Sequence, residues 1–87
     1  MNPPKQTAGP HPAVALSSLR PGARARVTTV EGGHAMAQRL AAMGVYTGVN
    51  LLVVRGGRDG PVITDVRGTR IIIGRGMASR VIVTPLS

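Results

Sequence analysis

The chain has no cysteine, no phenylalanine and no tryptophan, and its one aromatic residue is Tyr46. Without cysteine there is no disulfide, no thiolate metal site and no sulfur nucleophile. Small secreted domains usually depend on disulfide staples, so a reducing, cytoplasmic setting is expected. Without Phe and Trp the core has to be assembled from Val, Ile, Leu, Met and Ala, and the β-branched members of that set favour strands. Carboxylates are scarce too: Glu31, Asp59 and Asp65 stand against eleven Lys and Arg, giving a net charge of +8. Glu31 and Asp59 sit at expected turns, and Asp65 faces outward on an expected strand. Acid–base catalysis needs paired groups in a perturbing pocket, so no residue is assigned a catalytic role and the chain is read as a non-enzyme. No stretch approaches the about 18 apolar residues of a membrane helix. Residues 1–13 lack the apolar block of a signal peptide.

What is present fits one small domain. The 87 residues are 43% apolar, enough to exclude wholesale disorder. Residues 1–13 (MNPPKQTAGPHPA) hold four of the seven prolines and are expected to be a disordered tail. A single domain is expected over residues 14–87. Ten of the eleven cations are arginine. Such an excess fits an anionic partner or simply a solvated basic surface, and the arginines are spread along the chain rather than clustered.

Leu16 and Leu19 are i and i+3, which suggests a short turn plugging one end of a core. Pro21-Gly22 fits a type II turn. Arg24 to Val30 alternates, with Ala25, Val27 and Thr29 on one face, and reads as a half-buried strand. Glu31-Gly32-Gly33 breaks it, and a helix is expected from His34 to Met43. Val49 to Arg55 reads as a strand with Val49, Leu51 and Val53 inward, and with Leu52 and Val54 apolar on its other face. Residues 56–60 (GGRDG) suggest a flexible hairpin loop. Val62, Thr64 and Val66 form the inner face of the next strand, Arg67-Gly68 a two-residue turn, and Thr69–Ile73 its partner strand. A short turn or single helical turn over 74–79 precedes a last strand from Arg80 to Thr84, with Val81 and Val83 inward. About five short strands, tight turns and one helix between strands one and two suggest a mainly β, small, partly closed barrel.

The most informative segment is Arg39 to Val49 (RLAAMGVYTGV). Met36, Leu40 and Met43 fall at i, i+4 and i+7 and share one helical face. Gly44 fits the left-handed residue after the helix, and Val45 the position that touches Leu40 in a Schellman ending. Gly48 marks a second turn before the strand. Met43, Val45 and Tyr46 bring apolar groups near a domain edge, with Arg39 one turn back. These four residues, Arg39, Met43, Val45 and Tyr46, are the candidate partner-binding set, with Met43 and Val45 equally readable as core.

No metal site and no cofactor site are assigned. His11 lies in the expected tail. His34 opens the helix with no second ligand at i+3 or i+4, so it reads as an exposed residue or as one ligand of a site shared with another molecule. Gly56-Gly57 with Gly60, and Gly74-Arg75-Gly76, lie in turns between strands, not between a strand and a helix as a phosphate loop requires. Nucleic-acid binding has support from charge but lacks the aromatic platforms of single-strand binders and any recognition-helix pattern.

The ordered set Leu16, Leu19, Gly22, Val27, Val30, then Arg39-Leu40, Met43-Gly44-Val45, Gly48-Val49, Leu51, Val53, then Gly60-Pro61-Val62, Val66, Gly68, Ile71, Ile73, Ala78, Val81 and Val83 resembles the FeoA family. The resemblance spans residues 14–85. It implies an SH3-like barrel, with a short helical turn before the last strand. It also implies a cytosolic accessory role in bacterial ferrous-iron transport, with the cytosolic region of the FeoB membrane permease as partner. Transition metal ion binding goes with the family at large, without a ligand set on this chain. The same fold occurs as the C-terminal domain of repressors of the diphtheria-toxin-repressor type, and the absence of a preceding winged-helix segment fits the free-standing form. Thr47 stands where proline is common in the family, Gly74 to Met77 is looser than the usual charged pair, and the arginine content is high. The alternative is a small basic barrel associated with nucleic acid or the ribosome. Bare Val and Ile edges make self-association a further expectation.

Overall fold

Backbone hydrogen bonding across residues 12–86, the part of the chain that the computed structural model describes, organises six strands and two helices. Strand β1 is Val14–Ala15, followed by a 3-10 turn over Leu16–Ser18. Strand β2 is Arg24–Val30, helix α1 His34–Ala42, β3 Asn50–Arg55, β4 Val62–Val66 and β5 Thr69–Ile73. A one-turn helix, α2, spans Arg75–Ala78, and β6 runs Val81–Leu86. Most of the expected tail, through residue 11, lies outside the described residues, as does Ser87.

The strands form one antiparallel sheet in the order β1-β6-β2-β3-β4-β5. The mainly β, SH3-like architecture is as expected, with two differences. There are six strands rather than about five, because β1 is only two residues long and too short for an alternating pattern to mark it. The sheet is also not closed by a ladder: its order ends at β1 on one side and β5 on the other.

Alternation fails in β2. Ala25 and Val27 point into the core, but Thr29 is exposed. The pairing of β2 with β6 shifts register between Val27 and Thr29, leaving Thr28 as the extra residue of a bulge. Its Oγ1 donates to the Ile82 carbonyl at 3.0 Å. The helix α1 is held from below by Leu40, which is wholly buried. Burial of one such leucine stabilises by roughly 1.5–3 kcal/mol, which matters in a domain this small.

The core is aliphatic. Val27, Val53, Val62, Ile73, Val81 and Val83 come from five strands, joined by Leu16, Leu40 and Ala78 from the helical turns. Thr64 is the one polar side chain in it among the described residues, and its Oγ1 donates to the Ile71 carbonyl at 3.3 Å. Leu52 and Val54, on the other face of β3, are half-buried.

The loop after β3 is not the free connection its glycines suggest. A Cβ on Gly57 would lie 2.7 Å from Val62 Cγ2, and one on Gly56 would lie 2.9 Å from the Leu19 carbonyl oxygen. These two residues are glycine because neighbouring atoms pack against their backbone, not because the loop must flex. Past the next hairpin, Arg67 and Gly68 both have positive φ, 54° and 86°, as a type I′ turn requires.

Candidate docking surface at the helix-to-strand junction

The end of α1 has the geometry of a Schellman motif. Met43 closes the helix, and Gly44 follows with φ 99°. The Gly44 amide donates to the Ala41 carbonyl at 2.9 Å and the Val45 amide to the Leu40 carbonyl at 2.9 Å. Those are the two bonds the motif defines. A second turn follows at once. The Val49 amide donates to the Tyr46 carbonyl at 3.1 Å, with Gly48 at φ 95°. That is a type II turn with Thr47 at its second position, the place proline suits best. The Gly48 amide is tied across to the Val27 carbonyl at 2.7 Å, so the junction is fastened to β2 as well as to its own helix.

This rigid corner sorts the four candidate residues. Arg39 is exposed, Met43 is 37% exposed and Tyr46 44% exposed. Val45 is wholly buried and belongs to the core; it supports the surface from beneath and has no area to offer a partner. The shared face expected for Met36, Leu40 and Met43 also divides. Leu40 is buried and Met36 half-buried, whereas Met43, at the last turn, has passed the edge of the core. Arg39 and Met43 are i and i+4, so they lie side by side on one flank of the helix.

Tyr46 stands between two grooves. One, of about 450 Å³, runs along the opposite flank of α1 and is lined by Val30, His34, Ala37, Ala41 and Tyr46 among others. The other, of about 230 Å³, lies between the junction and the β4–β5 hairpin, with Met43, Tyr46, Thr69 and Ile71 in its walls. Both are shallow, more apolar than polar and without a carboxylate, and Arg67 lines the second. His34 is the one metal-ligating side chain in the first. Among the described residues no group of three or more His, Cys, Asp or Glu is placed to hold a metal ion.

A basic cavity was not legible in the sequence. Arg20, Arg58 and Arg75, far apart along the chain, line a cavity of about 670 Å³ together with Ser17 and Ser18, over the packed Gly56 and Gly57. Three separate segments of the chain meet there, and no linear pattern announces a convergence of that kind. Among the described residues the arginine whose guanidinium has a side-chain hydrogen-bond partner is Arg26, with Nε donating to Asn50 Oδ1 at 2.9 Å. With ten arginines and three carboxylates, one-to-one neutralisation is arithmetically excluded.

Known proteins share this fold. The family described as FeoA domain matches residues 14–85. A relative from Methanocaldococcus jannaschii, described as an Fe(2+) transport protein A, is 37% identical over 68 residues, covering 78% of this chain and 82% of the relative. A crystal structure of an iron uptake regulatory protein (FeoA) is 39% identical, with a TM-score of 0.78 over 85% of this chain and 97% of that one. A solution structure of a FeoA protein from Chlorobium tepidum is 32% identical, with a TM-score of 0.74 over 85% of this chain and 71% of that one. A manganese-dependent transcriptional repressor shares the fold at 22% identity, with a TM-score of 0.77 over 86% of this chain and 42% of the repressor. No helix among the described residues is long and apolar enough to cross a membrane.

Proposed function

This chain belongs to the FeoA domain family, the accessory proteins of ferrous-iron transport, and from that membership we propose that it acts by docking on the cytosolic region of a FeoB-type GTPase permease and modulating uptake. The reading is non-enzymatic and places the chain in the cytoplasm. Its contribution is a rigid surface, not a bond-making group. The observation that supports it most is the exposure of Met43 and Tyr46 on a corner that two consecutive hydrogen-bonded turns hold in place. Tyr46 borders two shallow grooves and Met43 one of them, and Met and Tyr are the types that adapt to partner contacts. Pre-organisation of the corner means that little conformational entropy is lost on docking. Arg39 beside Met43 adds a cation at the rim, where charge governs rate and selectivity.

The test is a binding measurement between the purified chain and the permease's cytosolic region, with Tyr46→Ala and Arg39→Glu as controls. Saturable binding weakened by both substitutions supports the reading; absence of binding by folded protein ends it. Association with nucleic acid is a separate reading favoured by the arginine-lined cavity. A gel shift whose midpoint falls steeply with salt would support that one instead.

A further inference from the structure

The two edges of the sheet are protected unequally. Soluble proteins blunt exposed edge strands by making them very short, by placing lysine or proline on them, by a bulge, or by covering them. The β1 edge is two residues long. The β5 edge is five residues long, pairs with β4 through five consecutive positions without a register shift, and contains neither lysine nor proline. No strand lies on its outer side among the described residues.

The turn fixes which of its backbone groups are free. A two-residue type I′ hairpin makes the flanking residues, Val66 and Thr69, a hydrogen-bonded pair, and such pairs alternate along an antiparallel ladder. Thr69, Ile71 and Ile73 therefore turn their N–H and C=O groups toward β4. Arg70 and Ile72 turn theirs outward. The side chains of Arg70 and Ile72 share the outer face, and both are exposed; Ile72, at 64%, is the most exposed large apolar residue among those described. On the inner face, Thr69 and Ile71 border the groove that also contains Met43 and Tyr46. Arg67 and Arg75 flank the strand. The carboxylate nearest in register is Asp65, opposite Arg70, whose Oδ1 already accepts the Gly68 amide at 2.8 Å.

We propose that β5 is the seat of an added strand: an extended segment of the partner protein, with apolar and acidic residues alternating, pairs with the free backbone groups of Arg70 and Ile72. On the outer face an apolar side chain of that segment lies on Ile72 and a carboxylate meets Arg70. On the inner face its side chains enter the groove walled by Met43 and Tyr46. Main-chain bonds give such a complex its affinity and the alternating side chains its selectivity. A second copy of this chain is a poor occupant, because β5 against β5 brings together the basic edges of two molecules each carrying +8. This inference deepens the docking reading above and rests on it for the identity of the partner.

The experiment uses the full chain with two probes: the permease's cytosolic region, and a synthetic peptide of alternating Glu and Val. Amide exchange is followed residue by residue, and affinity is measured for the wild type, Ile72→Pro and Arg70→Glu. Proline at an outward-facing edge position spares the bonds to β4, so Ile72→Pro is expected to fold; should it not, Ile72→Lys takes its place as an edge-blocking charge. The expected result is protection of the Arg70 and Ile72 amides on binding, with affinity falling by about tenfold or more in the Ile72 variant and several-fold in Arg70→Glu. If the cytosolic region binds all variants equally, the edge is overturned while docking stands. If the peptide binds at β5 and the cytosolic region does not bind at all, the edge stands and the permease is the wrong partner. If neither binds, both readings fall. If the wild type sediments as a dimer and the Ile72 variant as a monomer, the occupant is a second copy and the proposal is overturned.

Discussion

The Val45 amide donates to the Leu40 carbonyl at 2.9 Å, and the side chains of both residues are wholly buried. One backbone bond thus joins the last turn of α1 to the core at the point where the chain reverses. The relationship depends on Gly44, whose φ of 99° lies where a Cβ is penalised. A Cβ there would also sit 3.4 Å from Ile71 Cδ1.

Gly44→Ala should therefore destabilise the domain by about 1–2 kcal/mol, mostly from the backbone, since Ile71 can give slightly. Urea unfolding followed by far-ultraviolet circular dichroism measures it. An unchanged midpoint would show that the corner does not need its left-handed residue.

Gly57 and Gly60 belong to one loop and should respond in opposite directions. A Cβ on Gly57 meets Val62 Cγ2 at 2.7 Å, and Val62 is fixed in the core, so Gly57→Ala should cost about 1–3 kcal/mol through overpacking. A Cβ on Gly60 would meet no atom within 4 Å, and the residue has no left-handed φ. Gly60→Ala should be neutral or stabilise by up to about 1 kcal/mol, by restricting the unfolded chain. Thermal midpoints of the pair decide it; a loop that is merely flexible would tolerate both equally.

Arg67 is the one non-glycine among the described residues with positive φ, and it occupies the first central position of a type I′ turn. Asparagine suits that position better, because its short polar side chain tolerates the left-handed region. Arg67→Asn should stabilise by about 0.5–1 kcal/mol, and should do so with the Asp65-to-Gly68 hydrogen bond intact. A lower denaturation midpoint would mean that the arginine makes compensating contacts in solution.

The parts of this fold that were legible in the sequence are those set by near neighbours. The helix stop could be read because Leu40, Gly44 and Val45 lie within six residues and their bonds are local. The hairpin at Arg67-Gly68 is local for the same reason. What was not legible depends on distant pairing. Thr29 leaves the core because of a register shift against β6, more than fifty residues away. The strand Val14–Ala15 exists only through its pairing with β6. Gly56 and Gly57 looked like flexibility, whereas Leu19 and Val62 dictate them by proximity. In the candidate surface, Met43, Val45 and Tyr46 are almost adjacent in sequence. Their division into surface and core follows from how the Gly44 turn rotates each side chain, which residue type alone does not reveal.

That division sets up a test in which stability and binding should separate. Tyr46 makes its structural contribution through its backbone carbonyl, which accepts the Val49 amide and survives any side-chain change. Its side chain is 44% exposed and sits between two shallow grooves. Tyr46→Ala should therefore shift stability by no more than about 1 kcal/mol, because little fully buried area is lost. An aromatic anchor at the centre of an interface is worth about 2 kcal/mol or more in association, so affinity for the partner should fall by more than about tenfold. Val45→Ala should show the reverse: a core cavity costing about 1–3 kcal/mol of stability, with affinity kept in the fraction that remains folded. Chemical denaturation and titration calorimetry on both variants give the two numbers. If Tyr46→Ala loses stability and keeps affinity, the exposed ring supports the fold, and the docking surface must be sought elsewhere on the molecule.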